Sequence, residues 1–312
     1  MDVAQLAAPA AAFGELLAAL GPAGLPWLAG LLGLLVGSFL NVVIHRVPLM
    51  MQWEAEQEAR EVLMLDAAPD APTLVAPPRL NLVTPRSRCR ACGTPIAALH
   101  NIPLLSWLWL RGRCANCDAP IGIRYPLVEL LTGLLFAIVA WRCGATIETL
   151  YGCTVAALLV AMSGIDVDTQ LLPDSLTYPL LWLGLLASVV SGRGAAPFPV
   201  SPADAILGAA MGYLTLWTVF WLFRLITGKE GMGRGDFKLL AGLGAWLGWT
   251  AIPLIVLLSS LVGALVGGFL IAFRGRDHQV PLPYGPYLAA AGFVALLCGP
   301  ELVAWYRALA HF

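Results

Sequence analysis

The chain has 312 residues, of which 59% are hydrophobic and only 12% charged, with a mean hydropathy of +0.79. Soluble domains carry about 25% charged residues, so an ordinary soluble globular protein is excluded and several membrane passages are expected. The formal net charge of −1 says nothing by itself about nucleic acid, since the basic residues are not massed into one surface and their distribution is what matters; no nucleic-acid partner is expected.

The N-terminal stretch up to Trp27 lacks a basic start, and Pro9, Glu15, Pro22 and Pro26 interrupt its Ala/Leu run. No cleavable signal peptide is expected there. The first span is expected from about Pro26 to Ile44, followed by His45-Arg46-Val47-Pro48. Asn41 is polar where an apolar residue is expected, either for an interhelical hydrogen bond or for a ligand. No internal repeat stands out.

From Val47 to about Arg124 the chain turns polar. It opens with Glu54, Glu56, Glu58 and Glu61, and the Pro/Ala-rich piece from Ala67 to Pro78 reads as a linker. Cys89-Arg90-Ala91-Cys92 follows and then, after a 21-residue gap, Cys114-Ala115-Asn116-Cys117. Two such pairs have zinc-ribbon spacing, four thiolates for one tetrahedral ion. An ion with four protein ligands has no open position, so its expected role is structural. A redox role would need one isolated C-x-x-C beside a βαβ pattern, which is absent. Cys143, Cys153 and Cys298 lie in or beside apolar segments and read as packing residues.

Seven further spans are expected: Pro126 to Trp141, Glu148 to Ile165, Ser175 to Val190, Ala205 to Thr227, a short one from Phe237 to Trp249, Ile252 to Phe273, and Tyr284 to Trp305. The expectation is therefore an all-α polytopic membrane protein of about eight helices, with a small zinc-ribbon-like domain inserted after the first. Its divisions are residues 1–46, 47–124 and 125–312. Of the 18 basic residues, 15 fall in the long polar region, the Gly231 loop and the loop before the last span; Arg142, Arg193 and Arg307 lie opposite. This bias puts the cysteine region on the cytoplasmic side, where thiols stay reduced.

Two acids then share one depth. Asp166 directly continues the third apolar span, and Asp236 follows Gly231-Met232-Gly233-Arg234-Gly235 between two apolar segments. A carboxylate at a membrane boundary is costly and marks function by default, although Asp236 also suits a helix start. Two carboxylates sharing a water can divide general-base and general-acid work, the chemistry of an aspartyl protease. Asp168 is expected in the loop beyond Asp166, and Asp174 as the N-cap of the next helix.

These motifs together resemble the bacterial type IV prepilin leader peptidases, which are bifunctional with an N-methyltransferase. The resemblance rests on Gly37-Ser38-Phe39-Leu40-Asn41-Val42, Arg46-Val47-Pro48, both C-x-x-C pairs, and His100-Asn101-Ile102-Pro103 with Ser106-Trp107 between them. It continues in Arg124-Tyr125-Pro126-Leu127-Val128-Glu129, Ile165-Asp166, Leu172-Pro173-Asp174 and the G-x-G-D of Gly233 to Asp236. It implies Asp166 and Asp236 as the catalytic pair and prepilins and related pseudopilins as substrates. It also implies S-adenosylmethionine as methyl donor and a bacterial inner-membrane location among lipid. No G-x-G-x-x-G on a βαβ unit is present, so a Rossmann methyltransferase is not expected. Asn41, Arg46 and Glu129 are the candidate methyl-donor residues; for Glu129 a salt bridge with Arg46 or Arg124 is the other reading. A transporter would want midplane carboxylates and related halves, and a non-catalytic zinc scaffold would leave the glycine loop unexplained.

Overall fold

A computed structural model describes residues 21–62, 80–191, 198–229, 231–274 and 282–309. Among these residues the fold is all-helical. The helices are α1 (Gly21–Val62), α2 (Leu105–Trp109), α3 (Arg124–Cys143), α4 (Ile147–Thr169), α5 (Asp174–Ser191), α6 (Pro202–Thr227), α7 (Arg234–Leu247), α8 (Ile252–Arg274) and α9 (Gly285–Leu309). Five helical stretches, in α1, α3, α4, α6 and the run Trp249–Leu270, are long and apolar enough to cross a membrane; Asp174–Val190 and Gly285–Gly299 are shorter apolar helices. The outer faces carry Leu222, Leu225, Ile226, Leu257, Leu261 and Leu265, all more than half exposed. Such a surface is tolerated in hydrocarbon and not in water.

The helix boundaries follow the expected spans closely, with two informative departures. α1 does not stop near Ile44 but continues through Pro48 to Val62. The run Met50 to Val62 is rich in Met, Gln, Glu, Ala and Arg, which lose little on entering a helix, so the change to polar composition does not end it. α4 likewise runs one turn past Ile165, to Thr169, where Gln170 enters the left-handed region (φ 56°) and returns its N–H to the Asp166 carbonyl at 2.9 Å. Asp168 therefore lies on the last helical turn rather than in a loop, and it is exposed. The Pro/Ala-rich piece Ala67 to Pro78 lies outside the described residues.

The chain forms two compact units. In the first, within Ala29–Leu135, α1 and α3 run antiparallel at close range. A Cβ on Gly37 would fall 2.7 Å from the Glu129 Cα, and one on Gly133 would fall 3.1 Å from the Gly30 carbonyl. Two turns of like geometry follow. Cys89 N–H donates to the Thr94 carbonyl and Cys114 N–H to the Ala119 carbonyl, both at 2.9 Å, and each pair is flanked by one antiparallel bridge, Arg88 with Pro95 and Arg113 with Pro120. The residue after each second cysteine, Gly93 (φ 71°) or Asp118 (φ 55°), takes the left-handed conformation that closes the knuckle.

The second unit, drawn mainly from Phe136 onward, is built around α7. At 14 residues α7 measures about 21 Å, too short to span a bilayer alone. It is buried from Asp236 to Leu247 at every position but Lys238, because α5, α6 and α9 enclose it. Small residues permit that enclosure. A Cβ on Gly208 of α6 would lie 2.2 Å from the Gly244 carbonyl, one on Gly212 2.6 Å from the Leu240 carbonyl, and one on Gly292 of α9 2.5 Å from Leu243. Trp246 fills the remaining space and donates Nε1–H to the Leu180 carbonyl at 2.9 Å.

Candidate active site and metal centre

Asp236 stands in the first turn of α7 and Asp166 in the last turns of α4. They are 70 residues apart in sequence, yet both are only 5% exposed and lie within electrostatic range of each other. Leu172, on the link from α4 to α5, is the shared neighbour. A Cβ on Gly235 would fall 2.6 Å from the Leu172 Cβ, and one on Gly285 would meet both Asp166 and Leu172. Of the glycines before Asp236, Gly231 and Gly235 serve close approach, whereas a Cβ on Gly233 would make only an ordinary 3.7 Å contact with Asp236 Oδ2. Gly233 has ordinary extended geometry (φ −75°, ψ 147°), while Gly231 lies against the Phe223 ring, where a Cβ would come within 2.8 Å.

Several partners of these acids carry no local sequence signal. Asp166 Oδ2 accepts the backbone N–H of Gly285, the first residue of α9, at 2.9 Å. Asp174 is the first residue of α5 rather than its N-cap, and its Oδ1 pairs with Lys238 Nζ at 2.5 Å. The Lys238 ammonium also stands 5.1 Å from the centre of the Tyr178 ring.

In the other unit Cys89, Cys92, Cys114 and Cys117 are free thiols whose sulfurs all lie within 4.8 Å of one another. Cys89 and Cys117 Sγ are 3.8 Å apart. A tetrahedral site with Zn–S bonds of about 2.3 Å has sulfur–sulfur edges of about 3.8 Å, so the cluster could hold such an ion. The Thr94 hydroxyl and backbone and the Asn116 side chain hold the Cys92 thiol down at about 6. The Asn116 N–H, then that of Cys117, lowers Cys114. The Ala119 N–H lowers Cys117 as well, but the Cys92 sulfur and its neighbours outweigh it and push that thiol up to about 12. Four thiolates this close need a cation to be ionised together.

Asn41, Arg46 and Glu129 also belong to this unit, each with a backbone partner. Asn41 Nδ2 donates to the Tyr125 carbonyl at 3.1 Å, and Arg46 donates to the Asn81 and Pro85 carbonyls at 2.7 and 2.6 Å. Glu129 Oε2 accepts the Leu104 N–H at 2.8 Å, at a residue held at φ 58°.

Residues 31–143 match the family described as bacterial peptidase A24 N-terminal domain, and residues 153–268 match the type IV leader peptidase family. A protein of Aeromonas hydrophila named prepilin leader peptidase/N-methyltransferase is 54% identical over 287 residues, covering 91% of this chain and 95% of its own. Proteins of the same name from Pseudomonas aeruginosa (52% identical, 90% and 93% covered) and Neisseria gonorrhoeae (46%, 89% and 92%) are also similar. No solved structure matches the chain significantly.

Proposed function

This chain belongs to the type IV leader peptidase family, and we propose that it removes the leader of prepilins and related pseudopilins and then methylates the new N-terminus. The observation that carries the peptidase reading is the pair Asp166 and Asp236, both buried and brought within electrostatic range around Leu172. One carboxylate of the pair is ionised and the other protonated. The ionised one accepts a proton from a water whose oxygen attacks the scissile carbonyl carbon, while the protonated one gives its proton to the carbonyl oxygen. When the tetrahedral intermediate collapses, the C–N bond breaks and the former base returns its proton to the leaving amine. The former acid recovers a proton from the intermediate, and the pair again holds one proton.

The methyl donor in this reading is S-adenosylmethionine, which supplies an electrophilic methyl group to the freed amine. Asn41, Arg46 and Glu129 are the residues proposed to border its site. Zinc is the proposed metal at the four cysteines and fixes the two knuckles without taking part in chemistry. Functionally the chain divides into residues 1–46, the zinc domain 47–124, and the membrane part 125–312, with eight membrane-inserted helices when α5, α7 and α9 are included. The positions of its basic residues support an inner-membrane orientation with the cysteines and both aspartates at the cytoplasmic face.

The test is mass spectrometry of a purified prepilin incubated with the protein and S-adenosylmethionine, which reads cleavage and methylation separately. Asp166→Asn and Asp236→Asn, each inserted normally in the membrane, are expected to cut the cleavage rate by at least about 10³-fold, because Asn keeps the size and loses the titrating group. Full processing by either variant removes that residue from the mechanism.

A further inference from the structure

The first turn of α9 has few free donors. Tyr287 and Leu288 both give their N–H to the Tyr284 carbonyl at 3.1 Å, and Pro286 has none to give. The N–H of Gly285 remains, at the positive end of a 25-residue helix, and it goes to Asp166 Oδ2 at 2.9 Å. The fit leaves no room for a side chain, since a Cβ on Gly285 would lie 2.7 Å from Oδ2 and 3.2 Å from Cγ of Asp166. The backbone before it is tethered separately, the Tyr284 hydroxyl lying 2.7 Å from Ser259 Oγ on α8. Asp166 is therefore held through Oδ2.

Resting on the peptidase reading above, we propose that Gly285 is a positioning residue. It fixes Asp166 as the ionised carboxylate that takes the proton from water, and leaves Asp236 as the acid that protonates the scissile carbonyl. Asp236 also stands in the first turn of a helix with the Gly233 backbone facing it. Helix polarity alone thus does not separate the two acids; the assignment rests on the buried bond that Gly285 of another helix gives Asp166 at 2.9 Å, because such a donor favours the charged form. On the helices packed around Asp166, Asp236 of α7 lies within electrostatic range of it; Asp168 of its own helix is exposed, and Asp174 of α5 pairs with Lys238 of α7.

The experiment measures kcat and KM against pH for the full-length protein on a purified prepilin. In Gly285→Ala the methyl group displaces the Asp166 carboxylate from the N–H. The expected result is a fall in kcat of about 10- to 100-fold, the worth of one charge-assisted bond, with KM within about threefold. The acid limb of the profile, which reports the group that must be ionised, moves to higher pH by about one unit while the alkaline limb stays. Tyr284→Phe, which removes the hydroxyl's contacts with Ser259 and Ser260 on α8, should move the same limb less. Should Gly285→Ala not accumulate in the membrane, Tyr284→Phe must move the acid limb or the inference falls. A shift of the alkaline limb reverses the two roles, and unchanged kcat and limbs in Gly285→Ala remove Gly285 from the mechanism. Asp166→Asn separates this from the larger reading: cleavage surviving in that variant sinks the catalytic pair itself, whatever Gly285 does.

Discussion

The Lys238 ammonium lies two residues beyond Asp236 and touches Asp174, yet its position argues for a brace rather than for chemistry. Both partners are partly open to solvent, with side chains 28% and 51% exposed. An ion pair so placed contributes about 0–1 kcal/mol, and the Tyr178 face adds a contact of similar size. Lys238→Met keeps the stem and removes the charge, so its initial cleavage rate is expected within about fivefold of the parent. Asp168→Asn, at an exposed position on the last turn of α4, should do less still. A Lys238→Met rate as low as that of Asp236→Asn would put the ammonium among the reacting groups. At this scale the sequence was legible wherever a residue type carries its own cost. A carboxylate at a membrane edge and four cysteines in two pairs stand out without a structure. Their partners do not, because Gly285 is 119 residues from Asp166 and Leu104 is 25 from Glu129, and neither contact leaves a local pattern.

Helices and knuckles were legible for a different reason, that apolar length and turn chemistry are local. The expected spans and the observed helices agree within a few residues from α3 to α9. What sequence left out was the consequence of small residues. Gly208, Gly212, Gly244 and Gly292 let α6 and α9 close on α7, which is why a helix too short to span can carry Asp236 inside a protein shell. The same scale bears on the proposed zinc. The two knuckles rest on a handful of backbone bonds and one bridge each, so four thiolates drawn together need a cation to hold them. Metal analysis of protein purified without oxidant should find one zinc per chain, and Cys89→Ser or Cys117→Ser should lose it. A disulfide between any two of the four, or protein folded without metal, would contradict the assignment.

For the molecule as a whole, the two compact units coincide with two proposed chemistries. Asp166, Asp236, Gly285 and Lys238 all belong to the unit around α7. Asn41, Arg46, Glu129 and the four paired cysteines all belong to the other. Each set can be disturbed while its own unit keeps its internal bonds, and that is what makes a division of labour testable. Glu129→Gln is the informative change, because a Gln carbonyl can still accept the Leu104 N–H that Glu129 Oε2 accepts at 2.8 Å, so the turn survives and only the charge is lost. If that charge serves the methyl donor, Glu129→Gln should slow methylation at least about tenfold and leave cleavage within about threefold, the loss of one charge-assisted contact. Asp236→Asn should do the reverse, failing to cleave prepilin while still methylating a mature, unmethylated pilin supplied with labelled S-adenosylmethionine. Glu129→Leu, which removes the acceptor as well, should lose both activities if the Leu104 turn matters to the fold. An Asp236→Asn protein unable to methylate the pre-cleaved pilin, or a Glu129→Gln protein that loses cleavage first, would mean that one site serves both reactions.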